Sequence, residues 1–238
     1  MSGRFKLIIQ QLLTRAHWDI HRGVPLAIHR QAVLDRLGHA SVLDVGANEG
    51  LYGEAMRKAG FTGRIYSFEP LPDAFALLAK RAAHDSKWTV EKAACGDAKG
   101  TLEIHKSKNS VSSSILSMNE THRAAAPSSE YVGEPIPCDV VTLDDYFAAS
   151  DDSERFYLKM DVQGYEDRVL RGAHNVLSRI DAIETEISLT DLYEGQASWH
   201  ELVGALLDDF ELADFRPGFR ASDYRLLQAD ILLLRRAT

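Results

Sequence analysis

Val42-Leu-Asp-Val-Gly-Ala-Asn-Glu-Gly50, followed by Ile65-Tyr-Ser-Phe-Glu-Pro70, decides the fold. An apolar run ends in a tight glycine loop, a helical stretch follows, and a second apolar run ends on an acid. Strand, loop, helix and strand in this order form half of a nucleotide-binding α/β sheet. The acids at the two strand tips are Asp44 and Glu69, roughly 25 positions apart. A carboxylate at the tip of the second strand is suited to accept hydrogen bonds from both hydroxyls of a ribose. The segment therefore predicts an adenosine-containing cofactor.

Two cofactors compete. A nicotinamide dinucleotide carries a pyrophosphate, and its loop usually reads G-x-G-x-x-G so that bare backbone amides meet that charge. The loop Gly46-Ala-Asn-Glu-Gly50 lacks this spacing, and Glu49 would repel a pyrophosphate. S-adenosylmethionine has no phosphate and carries a positive sulfonium, which suits a loop bearing Asp44 and Glu49. The plainer alternative is that Gly46 and Gly50 only permit a tight turn. Glu69-Pro70 at the right distance favours cofactor binding.

Towards the N-terminus, residues 4–22 put Phe5, Ile8, Ile9, Leu12, Leu13 and Ala16 on one side at helical spacing. A helix docking on the domain is expected, with a membrane-surface helix as the alternative. Pro25 fits the first turn of a second helix that runs to about Leu37 and stops at Gly38. Residues 1–38 are thus an N-terminal helical extension and 39–238 the main domain.

Towards the C-terminus, strands are expected at 41–46, 64–69, 88–94, 101–105, 136–142, 156–160, 181–188, 210–215 and 226–234. Helices are expected at 49–59, 72–84, 165–171 and 198–208, with a helical turn at 143–147. Alternating strands and helices ending in a strand pair predict an α/β fold. It is an open, mostly parallel sheet with one antiparallel strand near an edge. From about Ser107 to Pro135 the apolar pattern lapses into serine, asparagine and small residues. A segment this long between core strands predicts a mobile lid, against the alternative of a plain insertion with a short helix at 118–126.

Ligands of open α/β sheets sit outside the carboxyl ends of the strands. That rule selects Asp161, which ends Phe156-Tyr-Leu-Lys-Met160. Lys159 shares its strand face and needs a partner if buried. It either pairs with a carboxylate to support the loop or orients Asp161 in catalysis. Glu166 at a helix start favours the helix dipole, a structural role. Glu184 and Glu186 share one strand face, and Glu186 is near enough the strand end to reach the cleft. Asp97 either accepts from an adenine amino group or caps a turn.

The formal charge of −8 argues against phosphate-backbone binding by the whole surface, so no nucleic-acid partner is expected. Neither Cys95 nor Cys138 lies in a C-x-x-C pair, and free buried thiols are expected. No apolar run approaches the ~20 residues of a membrane span. Leu7-Ile-Ile9 is too short for a secretory core, which predicts a cytoplasmic protein.

Together these motifs resemble the FkbM family of S-adenosylmethionine-dependent methyltransferases. The resemblance is carried by Leu43-Asp-Val-Gly-Ala-Asn-Glu-Gly50, Ser67-Phe-Glu-Pro70, Gly96-Asp97 with Gly100, and Ser112-Ser-Ser114. It continues in Thr142-Leu-Asp-Asp-Tyr146, Leu158-Lys-Met-Asp-Val-Gln-Gly-Tyr-Glu166 and Leu192-Tyr-Glu-Gly-Gln196. It runs from about Val42 to Ala173 and more loosely to Arg235. Gln163 departs from it, because glutamate is frequent there.

The resemblance implies a class I, Rossmann-like methyltransferase sheet and O-methylation, frequently of sugar hydroxyls in glycolipids, polysaccharides or secondary metabolites. The cofactor-binding candidates are Asp44, Gly46, Ala47, Asn48, Tyr52, Glu69, Pro70, Asp97 and Asp161. Asp161 and Lys159 are the catalytic candidates, and Ser112, Ser113 and Ser114 the acceptor contacts. A magnesium ion on Asp161 and Glu186 is left open. The rivals are an adenine-dinucleotide oxidoreductase and a non-catalytic scaffold of the same fold.

Overall fold

A computed structural model describes residues 26–38, 40–109 and 112–237. The chain runs α1 (Leu26–Leu37), β1 (Ser41–Val45), α2 (Leu51–Lys58), β2 (Ile65–Phe68), α3 (Pro72–Ala82), β3 (Trp88–Glu91) and β4 (Ala94–Cys95). It continues with β5 (Gly100–Ile104), α4 (Glu120–Ala125), β6 (Ile136–Val141), α5 (Leu143–Tyr146), β7 (Phe156–Met160) and α6 (Glu166–Arg171). Last come β8 (Ile180–Ser188), α7 (Trp199–Gly204), β9 (Phe210–Pro217) and β10 (Gln228–Arg235).

Seven strands form one sheet in the order β3-β2-β1-β7-β8-β10-β9. The first five are parallel, and β10 runs antiparallel to both β8 and β9. Strand residues alternate between two buried faces, as a period of two demands. Leu43, Phe156, Leu158 and Ile183 face one apolar core with Leu143, Val169 and Leu202 of α5, α6 and α7. Val42, Ile65, Tyr157 and Ala182 face the other with Leu34, Met56 and Leu78 of α1, α2 and α3. The order reverses between β1 and β7, so their carboxyl ends open a crevice.

One expectation needs correction, and one alternative is seen. Residues 88–94 are not one strand: β3 pairs with β2, whereas β4 pairs with β6 in a separate three-stranded sheet, β4-β6-β5. The chain leaves the large sheet at Lys92–Ala93 because Ala94, Ile104, Cys138 and Val140 bury against Leu71 and Ala74 above the strand ends. Residues 107–135, where no periodicity was legible, contain α4 and a 3-10 turn at Pro127–Ser129. The Asn119 side chain accepts from the His122 amide and starts α4.

The helix ending at Leu37 is present, and Gly38 follows it at φ 83°. The expected helix at 4–22 and its apolar stripe, and Pro25, lie outside the described residues. No helix among the described residues is long and apolar enough to cross a membrane. Cys95 and Cys138 are free and buried.

Candidate active site

The carboxyl ends of β1, β2 and β7 converge on a cleft of about 580 Å³. That is within the roughly 300–1,000 Å³ of small-molecule sites. Gly46, Ala47, Asn48, Tyr52, Glu69, Pro70, Lys159, Asp161, Glu186, Ser113 and Ser114 all line it. Asp44, Asp97 and Ser112 do not. Asp97 stands outside, with Arg168 at 3.9 Å.

Glu69 is held by backbone at both carboxylate oxygens. Asn48 N–H donates to Oε2 at 2.8 Å and Leu71 N–H to Oε1 at 2.9 Å. Asn48 reaches it from a left-handed conformation, φ 47°, in the glycine loop. Burial raises the Glu69 carboxyl to about 7 against the pull of these amides. A buried carboxylate gripped at both oxygens has a fixed direction, which suits it to receive a pair of hydroxyls.

Asp44 lies beneath the loop, fully buried. Sheet register explains its contacts: Ser67 and Lys159 are its neighbours on the two flanking strands. Ser67 Oγ donates to Asp44 Oδ2 at 3.0 Å, and Lys159 Nζ lies 3.0 Å from Oδ1. The Lys159 ammonium also donates to the Gly46 carbonyl at 2.8 Å. Burial would lower its pKa, but Asp44 and then Asp161 outweigh that and raise it. Lys159 therefore braces the loop from below. This is the expected carboxylate pair that supports the loop, and Asp161 acts on Lys159 through its charge. Asp161 stands past the strand end, where the chain has turned, and its Oδ1 accepts instead from Gln163 Nε2 at 2.7 Å.

Gly46, at φ 74°, is where the cofactor loop touches the Asp161 turn. A Cβ there would collide with the Asp161 carbonyl oxygen. Only glycine allows this backbone contact.

A model of the methyltransferase FkbM domain matches residues 44–221. The chain belongs to this family. It is an S-adenosylmethionine-dependent methyltransferase, and the choice between the two adenosine cofactors is thereby made. A relative, 2-O-methyltransferase NoeI of Sinorhizobium fredii (strain NBRC 101917 / NGR234), is 28% identical over 214 residues, 87% of this chain and 85% of its own. An rRNA methylase from Streptococcus thermophilus shares the fold at TM-score 0.52 and 10% identity, over 92% of this chain and all of its own. Fibrillarin of Aeropyrum pernix, crystallised with S-adenosyl-L-methionine, gives a TM-score of 0.46 at 14% identity. It covers 82% of this chain and 66% of its own.

The methyltransferase cleft has two ends of different character. Phe68, Leu71, Ala94, Cys95, Ile104, Ile115 and Tyr165 make one end largely apolar. At the other end Arg30, Tyr52, Asp161, Gln163, Glu184, Glu186 and Asp230 converge. Glu184 is a buried hub there: Arg30 forks onto it, and the Tyr157 and Tyr52 hydroxyls donate to Oε2 at 2.8 and 3.0 Å. Arg30 also lies over the Tyr52 ring, 4.5 Å from its centroid. Arg30 ties α1 to the cleft, and no spacing in the sequence pointed to it, because 154 positions separate it from Glu184.

Glu186 lies between two amides: Gln228 Nε2 at 2.5 Å and Gln163 Nε2 at 3.2 Å. Burial, then Asp161 and Asp230, push its carboxyl well above the usual range. No group of three or more His, Cys, Asp or Glu among the described residues is arranged to hold a metal ion. Glu166 accepts from the Val162 and Gly164 amides at 3.2 and 3.3 Å, capping the turn before α6.

The third side of the cleft is serine-rich. Ser114 Oγ donates to the Gln163 carbonyl at 2.7 Å, and Ser113 Oγ accepts from Ser107 N–H at 2.9 Å. Ser112 faces away and donates to Ser129 Oγ at 3.1 Å. Behind this side, the Tyr193 hydroxyl donates to Gln163 Oε1 at 2.6 Å.

Proposed function

We propose that this methyltransferase moves the methyl group of S-adenosylmethionine to a hydroxyl oxygen of a sugar, in a glycolipid, polysaccharide or secondary metabolite. The observation that carries the reading is the exposed Asp161 carboxylate, in backbone contact with the cofactor loop through Gly46. A base at that point can meet the hydroxyl and the methyl together. Resemblance to a 2-O-methyltransferase supports oxygen as the acceptor atom.

In this reading Glu69 takes the ribose hydroxyls, and Ala47, Asn48 and Pro70 enclose the sugar. Lys159 and Asp44 keep the loop in shape without touching the reacting atoms. The acceptor oxygen attacks the methyl carbon in line with the sulfonium. The O–C bond forms as the S–C bond breaks, the electron pair stays on sulfur, and the hydroxyl proton passes to Asp161. Alignment of the two reactants alone can supply roughly 7–11 kcal/mol of barrier reduction. Glu186 is buried and its carboxyl is pushed well above the usual range by burial, Asp161 and Asp230, so the exposed Asp161 is the carboxyl group assigned to this work. A magnesium ion on Asp161 and Glu186 would have to displace the Gln163 amide that lies within reach of both.

The test is methyl transfer from labelled S-adenosylmethionine to a panel of methyl glycosides that differ in which hydroxyls are free. Label on oxygen of a glycoside with a matching hydroxyl supports the reading. Label on nitrogen or carbon acceptors alone would remove the O-methyl assignment. S-adenosylhomocysteine binding without transfer to any acceptor offered would favour the scaffold.

A further inference from the structure

Gln163 adopts a conformation that its neighbours must enforce. Its φ of 55° is in the left-handed region, which disfavours any residue with a Cβ. Four contacts hold it there. Its side-chain nitrogen donates to Asp161 Oδ1 at 2.7 Å and to Glu186 Oε2 at 3.2 Å. Its Oε1 accepts from the Tyr193 hydroxyl at 2.6 Å, and its backbone carbonyl accepts from Ser114 Oγ at 2.7 Å. Chemistry fixes the direction of the amide, because the Asp161 carboxylate accepts and so faces the nitrogen, while the Tyr193 hydroxyl donates to the oxygen. Gly164 follows at φ 96°, and a Cβ there would press on the Tyr193 ring. One residue thus joins the tip of β7, the end of β8 and the Tyr193 loop through its side chain, and the serine-rich wall through its carbonyl.

We propose that Gln163 is the positioning residue of the transfer step: its amide bridges Asp161 and Glu186 and imposes the carboxylate geometry that a bridging cation would otherwise impose. The proposal rests on the reading that Asp161 meets the acceptor. Two adjacent carboxyl groups repel when both are charged, and an amide with two N–H donors can join them without adding charge. The acids facing Glu186 are Asp161 beyond β7, Glu166 of α6 and Asp230 of β10, and together with burial they push its carboxyl well above the usual range. The Tyr193 hydroxyl, which feels its charge, and the Gln228 amide, which donates to it, are near it as well. Glutamate at 163 would bring a third carboxylate to the same point. Such a trio stays together only by taking up a further proton or a divalent cation.

The experiment uses Mn2+ alone as probe, in the wild type, in Gln163→Glu and in Gln163→Glu combined with Asp161→Asn. Bound Mn2+ is read by electron paramagnetic resonance, and S-adenosylhomocysteine binding by calorimetry reports an intact cofactor half. The expected result is no stoichiometric Mn2+ in the wild type, one equivalent in Gln163→Glu, and loss of that equivalent in the double variant. A wild type that binds Mn2+ through Asp161 overturns the proposal, because the carboxylates would then already form a metal site. A folded Gln163→Glu that ignores Mn2+ overturns it too. If Gln163→Glu does not fold, the side-chain amide resonance of Gln163 in the wild type decides. It must shift in Asp161→Asn, and an unmoved resonance refutes the bridge. Failure of the wild type to bind S-adenosylhomocysteine would strike the cofactor reading instead, and full activity in Asp161→Asn the assignment of the base.

Discussion

Val45, Phe68 and Met160, the last residues of three strands, lie in one apolar core and are each 1% exposed. The wall facing them across the cleft rests on a different set of forces. Ser107 Oγ lies 2.9 Å from both Asn109 Oδ1 and the Ser129 carbonyl, and Asn109 Nδ2 donates to Ser112 and Ser129 at 3.0 and 3.1 Å. Isolated bridges, His105 with Ser114 and Ser107 with Tyr131, replace a continuous ladder. Burying one large apolar side chain stabilises by about 1.5–3 kcal/mol, whereas a typical hydrogen bond nets only about 0.5–1.5. Strand tips are therefore fixed with the global fold, and the serine wall opens at lower cost. In the proposed reading, chemistry that needs exact placement belongs on the first, and admission of an acceptor on the second.

The sharpest way to break this contrast is Asp161→Asn, which keeps the strand-tip shape and removes the negative charge. Single-turnover rates at saturating cofactor should fall by roughly 10²–10⁴-fold, the usual worth of acid–base assistance. Unfolding by denaturant should be unchanged. Full activity would move the chemistry off the strand tips.

Next in size is Glu69→Ala. Each charge-assisted bond is worth about 1.5–3 kcal/mol, so loss of two ribose bonds should weaken S-adenosylhomocysteine at least tenfold by calorimetry. Unaltered affinity would mean that Glu69 only ties the loop to Leu71.

Acidity gives a third handle. The Glu69 carboxyl of the free protein titrates near 7, raised from 4.5 by burial. Ribose hydroxyls donate to the ionised form, so affinity should be full above pH 7 and fall as pH drops through it, by up to about tenfold per unit. The same raised value makes the free protein bind a proton more tightly than the unfolded chain does. This group's contribution to stability is thus present below 4.5 and lost as pH rises to about 7. The cofactor-induced thermal shift should accordingly be larger at pH 8 than at pH 6. Equal shifts would indicate that Glu69 stays ionised throughout.

The smallest effect is expected from Ser129→Ala on the other wall, about 1 kcal/mol. Hydrogen exchange should quicken across the described part of 105–131 and leave β1, β7 and β8 unaltered. In the wild type, the wall should exchange faster than the sheet and slow when cofactor and acceptor are both bound. A wall as protected as β7 in the free protein would abolish the contrast.

The two walls were also unequally legible. Period-two burial and glycine punctuation wrote β1, β2, β7 and β8 into the sequence, and the strand-end rule selected Glu69 and Asp161, which line the cleft. Register across the sheet was not written there. It set Asp44 beside Lys159 rather than Lys159 beside Asp161, a relation between residues more than a hundred positions apart. The serine wall has almost no apolar signal because its bonds are local and polar, and α4 gave only a faint one. The break at Lys92–Ala93 was hidden because both halves are β-forming, and only their partners differ. Arg30 and Glu184 share no motif at all, and only the folded chain brings them together.

Gly46 turns from a steric detail into a rule for divergence. Its backbone leans on the Asp161 carbonyl, so in the proposed reading the part that seats the cofactor and the part that meets the acceptor are one joint. A side chain added at 46 disturbs both. New acceptors must then be won elsewhere, by replacing the serine wall or the Tyr193 loop while the joint is inherited intact. Anyone re-targeting this enzyme should graft those two segments and leave residues 46 and 161 alone.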